Sequence, residues 1–134
     1  MPLPFHPRAG QVLVCDFTGF KEPEMVKVRP VIVISPRLPY RSDIAAIVPI
    51  SLTAPRHNLP FCYRLSKNYH PNEDDGLPCW AKADLVLNIG TYRLSGFKVG
   101  RRKYEFPQLT AEDLISVRYA VLAGLGLDRI EKDK

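Results

Sequence analysis

The sequence carries no Gly-rich loop ending in Lys-Ser or Lys-Thr, no His-Glu-x-x-His and no Gly-x-Ser-x-Gly. P-loop nucleotide hydrolysis, zincin-type proteolysis and serine-esterase chemistry are thereby excluded. Cysteine is scarce: Cys15, Cys62 and Cys79 form no close pair, and an odd number does not make a disulfide framework. All three read as small buried hydrophobes. His57, Cys62, His70 and Cys79 match no tight zinc spacing, so neither a metal nor a cofactor is expected. No apolar run approaches the roughly 18 residues of a membrane span. The Met1–Arg8 start lacks the charged-then-apolar order of a secretory signal, so the expectation is a cytoplasmic protein with no membrane partner.

What is present suits one compact unit. With 134 residues the chain reads as a single domain, residues 1–134, with a proline-rich lead-in over 1–9 and a charged, frayed tail over 128–134. Hydrophobic residues at 46% and charged residues at 25% are ordinary for a globular protein, and 13 prolines favour short strands and turns over long helices. A formal net charge of +5 suggests attraction for polyanions.

Apolar runs predict strands at Gly10–Phe17, Val31–Ser35, Ile44–Ser51, Phe61–Leu65 and Trp80–Leu87, with a short sixth within Tyr92–Val99. One helix is expected at the end. Thr110 provides an N-cap oxygen with Asp113 three residues on, Leu114, Val117, Val121, Leu122 and Leu125 fall on one stripe, and Gly124 and Gly126 stop it. Strands first and a helix last predict a mainly β, α+β domain, a small twisted barrel with helical packing.

Charged residues attached to apolar strands are the candidates for chemistry. Arg29 precedes Pro30, which restricts it to extended backbone. Ser51 ends the third run. Lys82 and Asp84, at i and i+2 on a strand, emerge on one face as either a surface ion pair or an acid/base couple. The stretch Arg93 to Lys103 holds Arg93, Lys98, Arg101, Arg102 and Lys103 with Tyr92, Phe97 and Tyr104 at hand, a mixture suited to unstacked bases and phosphates or simply to a solvated hairpin. Glu73-Asp74-Asp75 is an acidic loop expected to lie off any polyanion-binding face.

Taken in order, Gly10–Phe17, the Glu-bearing loop, Lys27-Val-Arg-Pro-Val-Ile-Val-Ile-Ser35, Ile47-Val-Pro-Ile-Ser51 and Lys82-Ala-Asp84 resemble toxins of the MazF/PemK family. The resemblance spans residues 10–127, and the Arg-Pro entering a β-branched strand is its most specific part. It implies an SH3-like barrel, a homodimer, and a sequence-selective, metal-independent endoribonuclease that cuts single-stranded mRNA and is blocked by a cognate antitoxin. Carried over by resemblance, Arg29 and Ser51 become phosphate contacts, and Lys82 and Asp84 the basic and acidic catalytic pair, with lysine where the family has arginine. Glu24, Lys27, Thr53, Arg93, Lys98 and Arg101 become RNA-binding candidates. Pro23 stands where some members place a histidine. RNA supplies its own 2′-hydroxyl nucleophile, so a base, an oxyanion donor and an acid suffice. Two rival readings fit the same barrel: a non-enzymatic toxin that poisons a protein such as a topoisomerase through its C-terminal helix, and a plain RNA-binding barrel.

Overall fold

The structure, a computed structural model, describes residues 3–129. Its strands are β1 (Val12–Asp16), β2 (Val28–Val33), β3 (Ile44–Ser51), β4 (Cys62–Arg64), β5 (Trp80–Lys82), β6 (Leu87–Gly90), β7 (Leu94–Ser95), β8 (Phe97–Gly100) and β9 (Lys103–Glu105), followed by one helix, α1 (Ala111–Gly124). Seven strands form one antiparallel sheet in the order β4-β5-β3-β2-β1-β7, with β6 also paired to β3; β8 and β9 form a separate hairpin. The result is the α+β, SH3-like barrel expected, with the helix packed against it.

Why the strands are so apolar follows from their surroundings. Side chains alternate between two faces of a strand, and here both faces are covered. Val12, Ile32, Val48 and Ile50 turn to one core with Val117, Ala120 and Val121 of α1. Leu13, Val31, Val33 and Ile47 turn to the other, with Phe17, Ile89 and Leu94. A strand buried on both sides reads as a continuous apolar run.

The fifth and sixth predicted strands are both broken. Ile50 faces Ala81 and Ile47 faces Leu87, so the chain advances six positions from β5 to β6 while β3 spans only three. The excess loops out as a 3-10 turn over Ala83–Leu85. Gly96 separates β7 from β8, and a Cβ there would meet the Phe106 ring at 2.6 Å. Of the expected helical stripe, Val117 and Val121 are buried, whereas Leu122 and Leu125 are 38% and 56% exposed. The expected tail falls on residues 130–134, which lie outside the described residues, and on Asp128 and Arg129, which belong to a short 3-10 turn, Leu127–Arg129. At the other end Met1 and Pro2 are likewise outside the described residues.

Asp113 takes the place of an apolar residue on the buried side of α1. The Asp113 backbone N–H donates to Thr110 Oγ1 at 3.1 Å, as an N-cap requires. Its carboxylate, only 1% exposed, turns away from the helix start. Oδ1 accepts from Tyr63 Oη at 2.7 Å. Oδ2 accepts from Ser66 Oγ at 2.6 Å and Tyr69 Oη at 2.7 Å, and the Ser66 backbone N–H reaches both oxygens. Tyr69 Oη in turn accepts from the Thr110 N–H at 3.2 Å. Burial opposes ionisation of Asp113, but the hydrogen bonds from Ser66, Tyr69 and Tyr63 outweigh it and hold the carboxyl below its ordinary range.

Asp113→Asn is therefore expected to lower stability by about 1–3 kcal/mol at neutral pH, the scale of an impaired buried charged hydrogen-bond set. The native carboxyl binds protons less readily than the unfolded one, so its contribution is complete above the ordinary value of 3.8 and fades as pH falls through the lower folded value. Urea unfolding from pH 7 downward, wild type against variant, should show the two curves converging in acid.

Candidate functional site

The ladder between β2 and β3 pairs Val31 with Pro49 and Ile32 with Val48. Continued by two residues, that antiparallel register brings Arg29 level with Ser51, although they are far apart in sequence. Both line an open pocket of about 340 Å³ at the start of β2 and the end of β3. Its floor is apolar, from Val12, Pro30 and Ile50, and its polar wall consists of Thr53, Asn68, His70 and Glu73.

Arg29 is half-buried and points its Nε–H at the Val26 carbonyl at 3.0 Å. Among the described residues its two Nη groups have no hydrogen-bond partner, so the planar end of the guanidinium is available for an anion. Ser51 Oγ accepts the Thr53 backbone N–H at 3.0 Å, which leaves the hydroxyl hydrogen free to donate. A phosphate oxygen entering here meets two kinds of donor over an apolar floor.

Apart from Thr53, the wall comes from the polar loop between β4 and β5, which folds back on itself. Asn68, 4% exposed, donates from Nδ2 to Glu73 Oε1 at 2.9 Å and accepts the His70 N–H on Oδ1 at 2.9 Å. Its own N–H donates to the Asp75 carbonyl at 2.9 Å. His70 Nδ1 accepts from the Asn72 N–H at 3.1 Å, and its ring packs on Phe97 with centroids 4.6 Å apart. Asn72 Nδ2 donates to the Lys98 carbonyl at 3.1 Å, which ties the loop to the β8–β9 hairpin. Glu73 thus lines the same pocket as Arg29, contrary to the expectation for the acidic loop, because these bonds turn it inward while Asp74 and Asp75 remain exposed.

The other sequence candidates are spread more widely. Lys82 ends β5 opposite Cys62, and Asp84 sits exposed in the 3-10 turn with its backbone against Gly124 of α1. Neither lines the pocket. The strand stops between them, so the two-residue alternation that placed them on one face does not apply, and no ion pair joins them among the described residues. The charges of both are felt at the Cys62 thiol, which burial pushes up, Lys82 lowers and Asp84 raises again. Glu24 is exposed and accepts the Lys21 N–H at 3.2 Å; Lys27 is exposed with φ of 70°, in the left-handed region.

Arg93 is engaged within the protein. Its Nη1 donates to the carbonyls of Asp16 and Thr18 at 3.0 and 2.8 Å, and its guanidinium lies over Phe20 and Tyr92, 4.9 and 5.3 Å from the ring centroids. It clamps the loop after β1. Phe97 is 3% exposed and belongs to the core, so it offers no stacking face. Lys98, Arg101, Arg102 and Lys103 are exposed around the hairpin turn, and the Lys98 carbonyl is the one bonded to Asn72 of the wall loop. Among the described residues no three His, Cys, Asp or Glu side chains are placed to hold a metal ion. No described helix is long and apolar enough to cross a membrane.

The family described as PemK-like, MazF-like toxin of type II toxin-antitoxin system matches residues 8–123. No curated protein sequence matches. Among solved structures, MazF from Deinococcus radiodurans superposes with a TM-score of 0.64 at 23% identity, covering 91% of this chain and 98% of that one. An endoribonuclease in complex with its cognate antitoxin from Mycobacterial species gives 0.59 at 19%, covering 90% and 96%. The Mycobacterium tuberculosis toxin MazF-mt6 gives 0.59 at 15%, covering 87% and 96%. At such identities the structures establish a shared fold.

The clamp by Arg93 is open to a direct check. Arg93→Lys keeps the charge but loses the fork, and should cost about 1–2 kcal/mol of stability. Faster amide exchange confined to residues 16–20 is the expected signature; unchanged exchange there would show that the clamp does not hold the loop.

Proposed function

Because the chain belongs to the PemK-like, MazF-like toxins of type II toxin–antitoxin systems, we propose that it is a metal-independent, sequence-selective endoribonuclease acting on single-stranded mRNA. The observation that carries this reading is the placement of Arg29 and Ser51 on neighbouring strands, both facing one open pocket with donor hydrogens to spare. Cleavage through the 2′-hydroxyl crowds negative charge onto the phosphate, and an arginine with free Nη groups stabilises that charge bidentately. The serine hydroxyl adds a second donor. Lys82 and Asp84 lie off this pocket, and the reading gives the phosphate to Arg29, Ser51 and Thr53.

The strand of RNA is proposed to run from the pocket along the β8–β9 hairpin, where Lys98 and Arg101 meet its backbone. Glu24 and Lys27, on the loop before β2, border the same end of the sheet and are proposed to contact flanking nucleotides. An acidic segment of a cognate antitoxin, attracted by the same cations, would block the groove. The protein is proposed to work as a homodimer in the cytoplasm. The rival reading, a toxin that binds a protein through its C-terminal helix, draws on Ile115, Tyr119 and Leu122, exposed at i, i+4 and i+7 of α1. It demands toxicity without RNA cleavage.

Purified protein incubated with a long unstructured RNA in EDTA should cut it. Arg29→Ala is expected to lower the rate by about 10²–10³, the loss typical of a missing oxyanion donor; intact RNA with wild-type protein would overturn the reading. Against a 2′-deoxy oligonucleotide that cannot be cut, Lys98→Ala and Arg101→Ala should each weaken binding. Each lost phosphate contact should flatten the slope of log affinity against log salt by about 0.7.

A further inference from the structure

We infer that Glu73 is the general base of this site, taking the proton from the attacking 2′-hydroxyl, and that the β4–β5 loop supplies the proton-accepting side of a pocket whose phosphate half is Arg29 and Ser51. This rests on the nuclease reading and deepens it.

Four observations converge. Glu73 is a carboxylate lining the pocket that holds Arg29 and Ser51, while Asp84 is not among its lining residues. Its geometry is fixed in advance: Oε1 is held by the buried Asn68 amide at 2.9 Å, and Oε2 has no protein partner among the described residues. A carboxylate with one oxygen anchored and the other open is arranged to accept a proton without reorganising. His70, whose carbonyl accepts the Glu73 N–H at 3.1 Å, flanks it in the same turn. His70 Nδ1 accepts the Asn72 N–H, so that ring nitrogen is already engaged and is not free to take a proton. That leaves Glu73 as the acceptor in the wall.

The step balances without a metal or redox partner. The 2′-oxygen forms a bond to phosphorus as its proton moves to Glu73 Oε2. The bond from phosphorus to the 5′-oxygen breaks with its electron pair on that oxygen, which takes a proton from solvent water in the open pocket. The protonated Glu73 then neutralises the hydroxide so formed. A 2′,3′-cyclic phosphate and a free 5′-hydroxyl are left.

Glu73→Gln preserves the size of the side chain and its contact with Asn68 but cannot accept the proton. It should lower kcat by about 10²–10⁴ with KM little changed. A carboxylate without a chemical task would only repel the phosphate, so neutralising it would tighten binding and speed cleavage; this outcome overturns the proposal. Should Glu73→Gln fail to fold, judged by its thermal transition, Glu73→Ala with added formate replaces it, and rescue of cleavage by formate is the expected result; no rescue overturns the assignment. Asp74→Asn, the same charge change one residue on in the exposed part of the loop, should cut RNA as the wild type does. Loss of cleavage in Asp84→Asn with Glu73→Gln fully active would return the role to Asp84. Wild-type protein that leaves RNA intact removes the nuclease reading and this assignment together, whereas wild-type cleavage matched by Glu73→Gln removes only the assignment.

Discussion

The buried carboxylate of Asp113 is the contact on which the site depends. Through Tyr63, Ser66 and Tyr69 it fastens the first turn of α1 to β4 and to the loop that follows. Tyr69 stands between Asn68 and His70, so the residue that bonds the helix is embedded in the segment that walls the pocket. A polar loop of this length has little apolar area with which to hold itself against a sheet. The charged hydrogen bonds compensate, each stronger than a neutral one in a site removed from water.

Two strands provide what the loop lacks. β3 is buried on both faces over most of its length and β2 over its second half, and Val31, Ile32, Val33, Ile47 and Val48 are almost wholly enclosed. Arg29 and Ser51 extend from the ends of that rigid ladder, where the cores give out. One half of the pocket is thus anchored by hydrophobic packing and backbone hydrogen bonds, the other by a side-chain network centred on one carboxylate. Local opening begins where apolar contacts are fewest, and this division places the loop, not the strands, at that end of the range.

Much of the barrel was legible in the sequence because it depends on local pattern. The runs that became β1, β3 and β4 are marked by apolar residues, and Thr110 and Asp113 mark the helix start. Arg29 stood out through its proline neighbour. What escaped depends on partners distant in sequence. Lys82 and Asp84 have strand-like neighbours, yet the mismatch between β5 and β6 along β3 turns Ala83–Leu85 into a 3-10 turn, and nothing within those residues announces it. Phe97 resembled a stacking residue until the hairpin buried it. Glu73 shared its charge with Asp74 and Asp75, and only the Asn68 amide singles it out. That Asn68 anchors one acid of three is a fact of tertiary contact; its sequence signal, an Asn before an aromatic and a His in a polar loop, is too common to have found it.

The pocket draws its parts from the second strand, the third strand, a loop some twenty residues later and, through Asp113, the final helix. A ribosome-bound nascent chain holding Arg29 and Ser51 but not yet Asp113 has the donors without a settled wall. The two halves of the pocket are therefore specified by segments translated far apart, and the wall is settled only once Asp113 has been made.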